Sequence, residues 1–145
     1  MPTTYAIPNG RTVMNAITYS GTSASRDISN ADLGTTGFKP DLVWCKSRTN
    51  PSSGFYNILC DTVRGQTSGY YNMLFSNTTD QQNAGTGALP ASTGGITTFN
   101  TNGYTIANGS SPSYWQNESG YNYVAWQWQA GQGTTSSNTS GSVTS

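Results

Sequence analysis

The sequence predicts an all-β fold, and three observations support that prediction. Serine, threonine, asparagine and glycine make up about half of the 145 residues and only 8% are charged, a composition that favours turns and competes with helical hydrogen bonds. Apolar residues recur with a period of two rather than 3.6. Aromatic residues, 12% of the chain, fall in short apolar runs that can bury a core, which argues against disorder. The length is that of one domain.

Seven short strands follow from this alternation, each bounded by clusters of glycine, proline, asparagine or serine. They are expected at residues 14–19, 41–48, 55–63, 70–76, 96–101, 104–107 and 121–129. Two antiparallel sheets packed face to face would bury the apolar sides of such strands without any helix. We therefore expect a two-sheet antiparallel β-sandwich or jelly roll.

The clearest local signal is the dipeptide Asn102-Gly103 between two of these strands. A type I′ turn requires positive φ at both central residues, and this dipeptide tolerates it, so residues 96–107 are predicted to form a hairpin. Pairing outward from that turn sets Phe99 opposite Ile106, with both large apolar side chains on one face.

Two other strands carry the richest apolar patterns. In residues 41–46 both alternating sets contain apolar side chains, as expected for a central strand covered on both faces. The last strand separates into a face with Val124, Trp126 and Trp128 and a face with tyrosine and glutamine. We interpret the first of these faces as core and the second as partly solvated.

Two segments lie outside the strand pattern. Residues 78–95 are predicted to be a long surface loop. Residues 131–145 are almost entirely glycine, serine, threonine, glutamine and asparagine, the composition of a flexible linker or arm. We therefore divide the chain into a β-sandwich domain at residues 1–130 and a linker or arm at 131–145, which suggests a following module or a tail ordered by neighbouring subunits.

The sequence contains two cysteines, Cys45 and Cys60, and no histidine. Two thiols without imidazole do not complete an ordinary zinc site, and Ser-His-Asp or Cys-His catalysis lacks its general base. The cysteines fall in neighbouring predicted strands, so they could pair, but two buried free thiols are the favoured interpretation.

Paired carboxylates, as in glycoside hydrolases, are the remaining route to hydrolysis, and the chain has six acidic residues. Asp61, three residues before Arg64, is predicted to form a structural ion pair. Only Asp80 and Glu118 lie in loop-like sequence without an obvious partner. We therefore expect no catalytic residue, no cofactor and no metal, and a protein that is not an enzyme.

Charge and hydropathy limit the expected partners. Six basic and six acidic residues give a net charge of zero, so no field attracts nucleic acid or an anionic membrane. No window approaches the roughly 18 apolar residues of a membrane span, and the first nine residues lack the basic and apolar regions of an export signal. We expect neither nucleic acid nor a membrane as a partner.

Five sequence motifs, taken together and in order, resemble one family. They are GFKPDLVWCKSR at 37–48, LCDTVRG at 59–65, LFSN at 74–77, TFNTNGY at 98–104 and YVAWQWQAG at 123–131. Over residues 19–131 the chain resembles a domain of virion structural proteins of tailed bacteriophages, especially cyanophages and marine phages, often found in large tail-associated proteins. The sequence departs from the usual pattern at Cys60, where an aromatic residue is common, and in the stretch 81–95.

The resemblance implies a concanavalin-like or SPRY-like sandwich with a structural role and no catalytic residues. Our first functional hypothesis is therefore a tail- or fibre-associated module that is exposed on the particle and contacts the host surface. The expected localisation is the virion, assembled in the cytoplasm of the bacterial host. Expected partners are other virion proteins, further copies of the chain in a trimer or higher homo-oligomer, and host cell-surface glycan.

A glycan site needs aromatic plates beside amide and hydroxyl groups, because sugars present apolar faces ringed by hydroxyls. One stretch of the sequence offers that mixture, and its candidate contact residues are Tyr114, Trp115, Asn117, Tyr121 and Tyr123. The simpler interpretation is that Tyr114 and Trp115 cover one end of the sandwich.

Two other functions stay open. In the first, the same sandwich is a capsid decoration or cement protein that bridges capsid subunits, with residues 131–145 draped over a neighbour or added to an exposed strand edge. In the second it is a secreted bacterial lectin or adhesin, for which an export signal would be expected.

Overall fold

A computed structural model describes residues 9–32, 34–49, 55–83, 93–108 and 116–130, which form antiparallel sheets around a shared core. A single 3₁₀ turn, Gly10–Thr12, precedes the first strand. The strands are β1 (Met14–Ser20), β2 (Arg26–Ser29), β3 (Leu42–Ser47), β4 (Ile58–Asp61), β5 (Gln66–Thr67), β6 (Tyr70–Tyr71), β7 (Met73–Phe75), β8 (Gly95–Asn100), β9 (Gly103–Ala107) and β10 (Asn122–Trp128). The predicted all-β antiparallel sandwich is confirmed, and the jelly-roll variant stays a prediction.

Five strands form the larger sheet, in the order β1-β10-β3-β4-β7. Every pair in it is antiparallel. The strand β3 occupies the centre, as its sequence predicted. The first and last strands, β1 and β10, lie side by side and pair over seven residues from Met14↔Trp128 to Ser20↔Asn122.

The smaller sheet has three strands in the order β2-β9-β8, and a short ribbon, β5-β6, stands apart from both sheets. The strand β2 was not predicted, because Ile28 is its one apolar residue and a lone apolar position gives no alternation. It pairs with β9, and Ile28 is 2% exposed.

The core lies between the two sheets. Its members are all buried and come from both layers: Tyr19, Val43, Cys45, Ile58, Cys60, Met73, Phe75, Tyr123 and Ala125 from the larger sheet, and Ile28, Ile96, Phe99, Tyr104 and Ile106 from the smaller one. An edge-to-face contact between Tyr71 and Phe99, with ring centroids 4.6 Å apart, joins the ribbon to the smaller sheet. Burial of these side chains is the main stabilising contribution to such a fold.

A buried amide also connects the layers. Asn30, directly after β2, is fully buried and donates from Nδ2 to Gln127 Oε1 on β10 at 3.0 Å and to the carbonyl of Phe38 at 2.8 Å. Its own carbonyl accepts from Asn15 Nδ2 on β1 at 2.9 Å. Because buried polar groups are costly unless bonded, these contacts fix how the end of β2 meets the larger sheet.

The hairpin between β8 and β9 exists, but its predicted register and turn are wrong. Asn100 pairs with Gly103 and Phe99 with Tyr104, so the loop is Thr101-Asn102, and a bulge near Thr97 shifts the register further on. Asn102 does not have positive φ, whereas Gly103, with φ of 145°, lies inside the ladder. A Cβ on Gly103 would lie 2.1 Å from the carbonyl oxygen of Ile28, so this glycine allows β2 to approach closely.

The assignment of the two faces of β10 is also wrong. Tyr123, Ala125 and Gln127 are completely buried and form the core side, whereas Val124, Trp126 and Trp128 are only partly buried. Gln127 can face inward because Asn30 satisfies its amide oxygen, a partner that lies far away in the sequence.

The predicted strand at 70–76 divides into β6 and β7 at Asn72. The Asn72 side chain is buried, donates to the carbonyl of Arg64 at 2.8 Å and accepts from Thr67 Oγ1 at 2.7 Å. These bonds hold the chain in the ribbon before it enters the larger sheet as β7.

Other predictions meet the structure only in part. In the predicted loop at 78–95, residues 78–82 are exposed, residues 84–92 lie outside the described part, and Gly95 begins β8. The predicted linker or arm at 131–145 lies outside the described residues. Cys45 and Cys60 are buried and free, as the sequence favoured.

Candidate functional site

The structure distributes the five predicted glycan contacts differently from the surface cluster expected. Tyr114 and Trp115 lie outside the described residues. Asn117 and Tyr123 are completely buried, and Tyr121 is partly buried. Asn117 and Tyr123 therefore do not form a surface with the others, and the prediction of an exposed cluster that includes them is wrong.

Asn117 acts as a clamp between two loops. Its Oδ1 accepts from the backbone N–H of Thr22 at 3.1 Å, its Nδ2 donates to the carbonyl of Ala24 at 2.6 Å, and its own carbonyl accepts from the N–H of Ser23 at 2.7 Å. A Cβ on the neighbouring Gly21 would lie 1.9 Å from the carbonyl oxygen of Glu118, so the two loops touch along their backbones. The Asn117 amide therefore forms its hydrogen bonds within these loops and is not accessible to a ligand.

Tyr123 is part of the core. Its ring stacks on that of Tyr19 with centroids 5.4 Å apart, and its hydroxyl accepts from the backbone N–H of Glu118 at 3.0 Å. Tyr121 packs on Phe55, with ring centroids 4.7 Å apart. Both tyrosines therefore have structural partners within the chain.

Aromatic side chains do lie together on the outer side of the five-stranded sheet. We call this surface the tryptophan face. One row of cross-strand partners crosses all five strands, and a second row crosses three of them. The rows are Ala16, Trp126, Trp44, Leu59 and Leu74, and Met14, Trp128 and Leu42.

The side chains of the tryptophan face are only partly covered. All are partly buried except Ala16, which is exposed. The ring centroids of Trp44 and Trp126 lie 5.0 Å apart, and the ring planes are inclined by 36°. Trp44 Nε1 donates to Ser76 Oγ at 3.2 Å. A row of apolar side chains that stay partly exposed across a whole sheet is a candidate contact surface.

Two shallow depressions adjoin at the edge of this face. One, of about 410 Å³, is lined by Lys46, Ser47, Arg48, Val124 and Trp126. The other, of about 280 Å³, is lined by Thr18, Tyr19, Ser20, Arg48 and Asn122. Arg48 borders both, and the described residues that line them include no acidic one.

The aspartates have partners elsewhere in the chain. Asp61 accepts from Arg64 Nε at 2.6 Å, which confirms the predicted ion pair, and Asp32 pairs with Arg11 at 3.6 Å. Asp80 accepts from Thr78 Oγ1 at 2.9 Å, and burial raises the pKa of the Glu118 carboxyl above its ordinary value. No hydrogen bond among the described residues joins Asp80 to Glu118, the pair that the sequence left open.

Neither a metal cluster nor a membrane-spanning helix occurs in the described part of the chain. No three residues among histidine, cysteine, aspartate and glutamate come together there in a way that could hold a metal ion. None of the helical segments described is long and apolar enough to cross a bilayer.

The tryptophan face could have been found from one sequence signal. The strand β3 has apolar residues in both alternating sets, and this pattern predicts burial on both faces. Val43 and Cys45 are buried, but Leu42 and Trp44 are only partly so. An apolar set that the fold leaves partly exposed marks a candidate contact surface.

Fold and surface together define an antiparallel β-sandwich domain with an aromatic outer sheet face. The chain belongs to the family described as a domain of unknown function, DUF7483, whose model matches residues 10–145. Comparison with curated proteins and with solved structures gave no match.

Proposed function

We propose that this chain is a non-enzymatic structural module of a bacteriophage virion, associated with the tail or a fibre, which contacts glycan on the host surface through the tryptophan face. The observation that carries the contact role is the row of partly exposed apolar side chains across the five-stranded sheet, centred on Trp44 and Trp126. The order of the sequence motifs supports the virion assignment. The proposal moves the contact surface away from the cluster around Trp115.

The physical argument for glycan is the chemistry of the surface. Indole rings offer flat apolar plates that match the apolar faces of sugar rings. Hydroxyl and amide groups of Thr18, Ser20 and Asn122 border the same face and can exchange hydrogen bonds with sugar hydroxyls. Both tryptophans lie on hydrogen-bonded strands, so little conformational entropy is lost when a ligand binds.

Adsorption of particles carrying single substitutions tests this proposal. We expect Trp126→Ala to reduce the adsorption rate to host cells at least tenfold, because one of the two indole rings at the centre of the tryptophan face is lost. Trp115→Ala is the matched control, since it removes the same side chain from the cluster first predicted. Normal adsorption of Trp126→Ala particles that retain the parental melting temperature of this chain would refute the contact role.

A second candidate function is capsid decoration or cementing. The observation in its favour is the same apolar sheet face, because a flat apolar surface can also pack on a neighbouring protein subunit. The two functions differ in stoichiometry. Hundreds of copies per particle would indicate capsid decoration, whereas a few to tens would indicate a tail or fibre.

In either function the partners we propose are other virion proteins and further copies of the chain, in a trimer or higher homo-oligomer. Light scattering of the purified chain at several concentrations measures this directly. A monomer at all concentrations would restrict assembly to the particle itself.

A further inference from the structure

We propose that the adjoining depressions at the edge of the tryptophan face bind a carboxylated polysaccharide, with Lys46 and Arg48 paired to uronate carboxylates and Trp126 stacked on a sugar ring. This inference rests on the proposed glycan contact and specifies the class of glycan.

The charge distribution is the first step. All twelve charged side chains lie in the described residues. Of the six cations, Arg11 and Arg64 form ion pairs, and Arg26 donates to the carbonyl of Ser20 at 2.9 Å and lies over the ring of Tyr19. The other three, Lys39, Lys46 and Arg48, pair with none of the carboxylates in the described chain, and of these only Lys46 and Arg48 lie at the same end of β3.

The second step is how these two cations are placed. They are two residues apart at the end of β3, both are exposed, and both line the larger depression together with Trp126. Lys46 is the cross-strand partner of Val124, so Trp126 is its diagonal neighbour, within reach of a long side chain. Lys46 and Arg48 thus place two positive charges, without an ion-pair partner in the described chain, beside the indole ring of Trp126. This arrangement suits a ligand in which an anionic group is attached to a ring with an apolar face.

The third step concerns the groups around Arg48. Asn122 accepts from Ser20 Oγ at 2.7 Å through Oδ1, which leaves its Nδ2 hydrogens directed away from that bond. The carbonyl of Asn122 accepts from the N–H of Arg48 at 2.7 Å, so the strand ends that carry these side chains are held together. The smaller depression therefore offers neutral donors and acceptors for sugar hydroxyls next to the cationic one.

A carboxylate fits this pair better than a nucleic acid does. The guanidinium of Arg48 matches a carboxylate through two parallel hydrogen bonds, and Lys46 adds a point charge. Binding to a phosphate backbone draws on many cations at once, and this edge has two. The larger depression, at about 410 Å³, falls within the size range of small-ligand sites.

Titration calorimetry of the full chain with tetragalacturonate tests the inference, with the fully methyl-esterified tetramer as the uncharged form of the same ligand. We expect the acid to bind at least tenfold more tightly than the ester. The double variant Lys46→Gln/Arg48→Gln should lose that preference, whereas Arg11→Gln/Lys39→Gln, which removes two charges at the opposite end of the sheet, should keep it.

Three outcomes would overturn the inference: equal affinity for acid and ester, an equal loss in both double variants, or tighter binding of a single-stranded oligodeoxynucleotide than of tetragalacturonate. The proposed function fails separately. If neither tetramer binds and Trp126→Ala particles adsorb normally, the glycan contact itself is refuted. If the ester binds as tightly as the acid and Trp126→Ala weakens both, the glycan contact stands and only the acidic class is wrong.

Discussion

Cys45 shows how burial determines the chemistry of a single residue. Its thiol lies in the core, 3.2 Å from the hydroxyl of Tyr19, and burial raises its pKa to about 12. Burial raises the pKa of the Cys60 thiol as well. Since the thiolate is the reactive form, neither cysteine is set up as a nucleophile in the folded protein.

The same burial predicts a loss of stability at alkaline pH. An unfolded thiol loses its proton near pH ~8.5, whereas the folded protein keeps it, so the unfolded state is favoured as the pH rises from there towards 12. Below the unfolded pKa this contribution is fully present and constant. For two thiols we expect the free energy of unfolding to fall by about 2 kcal/mol between pH 8.5 and 9.5.

Urea unfolding under reducing conditions at pH 7.5, 8.5 and 9.5 measures this effect. The control is Cys45→Ala/Cys60→Ala, which is less stable at every pH but should lose much less stability over that interval. If both proteins lose stability equally between pH 8.5 and 9.5, the thiols are not the cause.

At the scale of single elements, the hairpin β8-β9 shows what local sequence can and cannot predict. The dipeptide Asn102-Gly103 correctly indicated a hairpin. It did not indicate that Gly103 is required by a third strand, β2, which comes within 2.1 Å of the position a Cβ would take. The register therefore depends on a contact more than seventy positions away in the chain, as the pairing of Ser29 with Gly103 shows.

Gly103→Ala is expected to destabilise the protein by about 3 kcal/mol, because the added methyl group overlaps the Ile28 carbonyl and the backbone must leave φ of 145°. Gly65→Ala is the matched control, since Gly65 has φ of 72° and nothing within 4 Å of its Cβ position. It should cost only about 1–2 kcal/mol, the conformational penalty alone. Thermal unfolding measures both, and equal losses would show that the close approach to β2 is unimportant.

In the strand β10, too, the local sequence predicts only part of the arrangement at the candidate site. Alternation correctly separated Val124, Trp126 and Trp128 from their neighbours, but hydrophobicity selected the wrong face as core. Tyr123 is buried with its hydroxyl bonded to the N–H of Glu118, and Gln127 is buried with its Oε1 bonded to Asn30 Nδ2, although its Nε2 has no hydrogen-bond partner among the described residues. The partner of Gln127 lies 97 positions away in the sequence and is invisible in a local pattern, so alternation alone assigns the proposed contact face to the core.

At the scale of the whole molecule, two sheets with one core should unfold together. The buried pair Asn30–Gln127 is the polar counterpart of that core, because it joins the end of β2 in one layer to β10 in the other. The fold class, the central position of β3 and the free thiols followed from sequence alternation and composition. The pairing of layers did not, because it depends on buried amides whose partners lie 97 positions apart.

A double-mutant cycle on this pair tests the coupling of the layers. We expect Asn30→Ala and Gln127→Ala to destabilise the protein individually and to show a coupling energy of at least about 1 kcal/mol. The pair Asn30→Ala and Asn122→Ala, whose side chains share no hydrogen bond, should be additive within about 0.5 kcal/mol. Additivity of Asn30→Ala with Gln127→Ala in urea unfolding would show that the two amides stabilise the protein independently.

The pairing of β1 with β10 has a consequence for how this sandwich can be joined to other polypeptides. The backbone N–H of Gln129 donates to the carbonyl of Val13 at 2.7 Å, so the chain enters and leaves the fold at adjacent points. A unit with neighbouring entry and exit points can be spliced into a surface loop of a carrier protein without forcing that loop apart, and it tolerates circular permutation. A carrier protein fused to this domain could therefore display the tryptophan face as a side branch as readily as in a linear string.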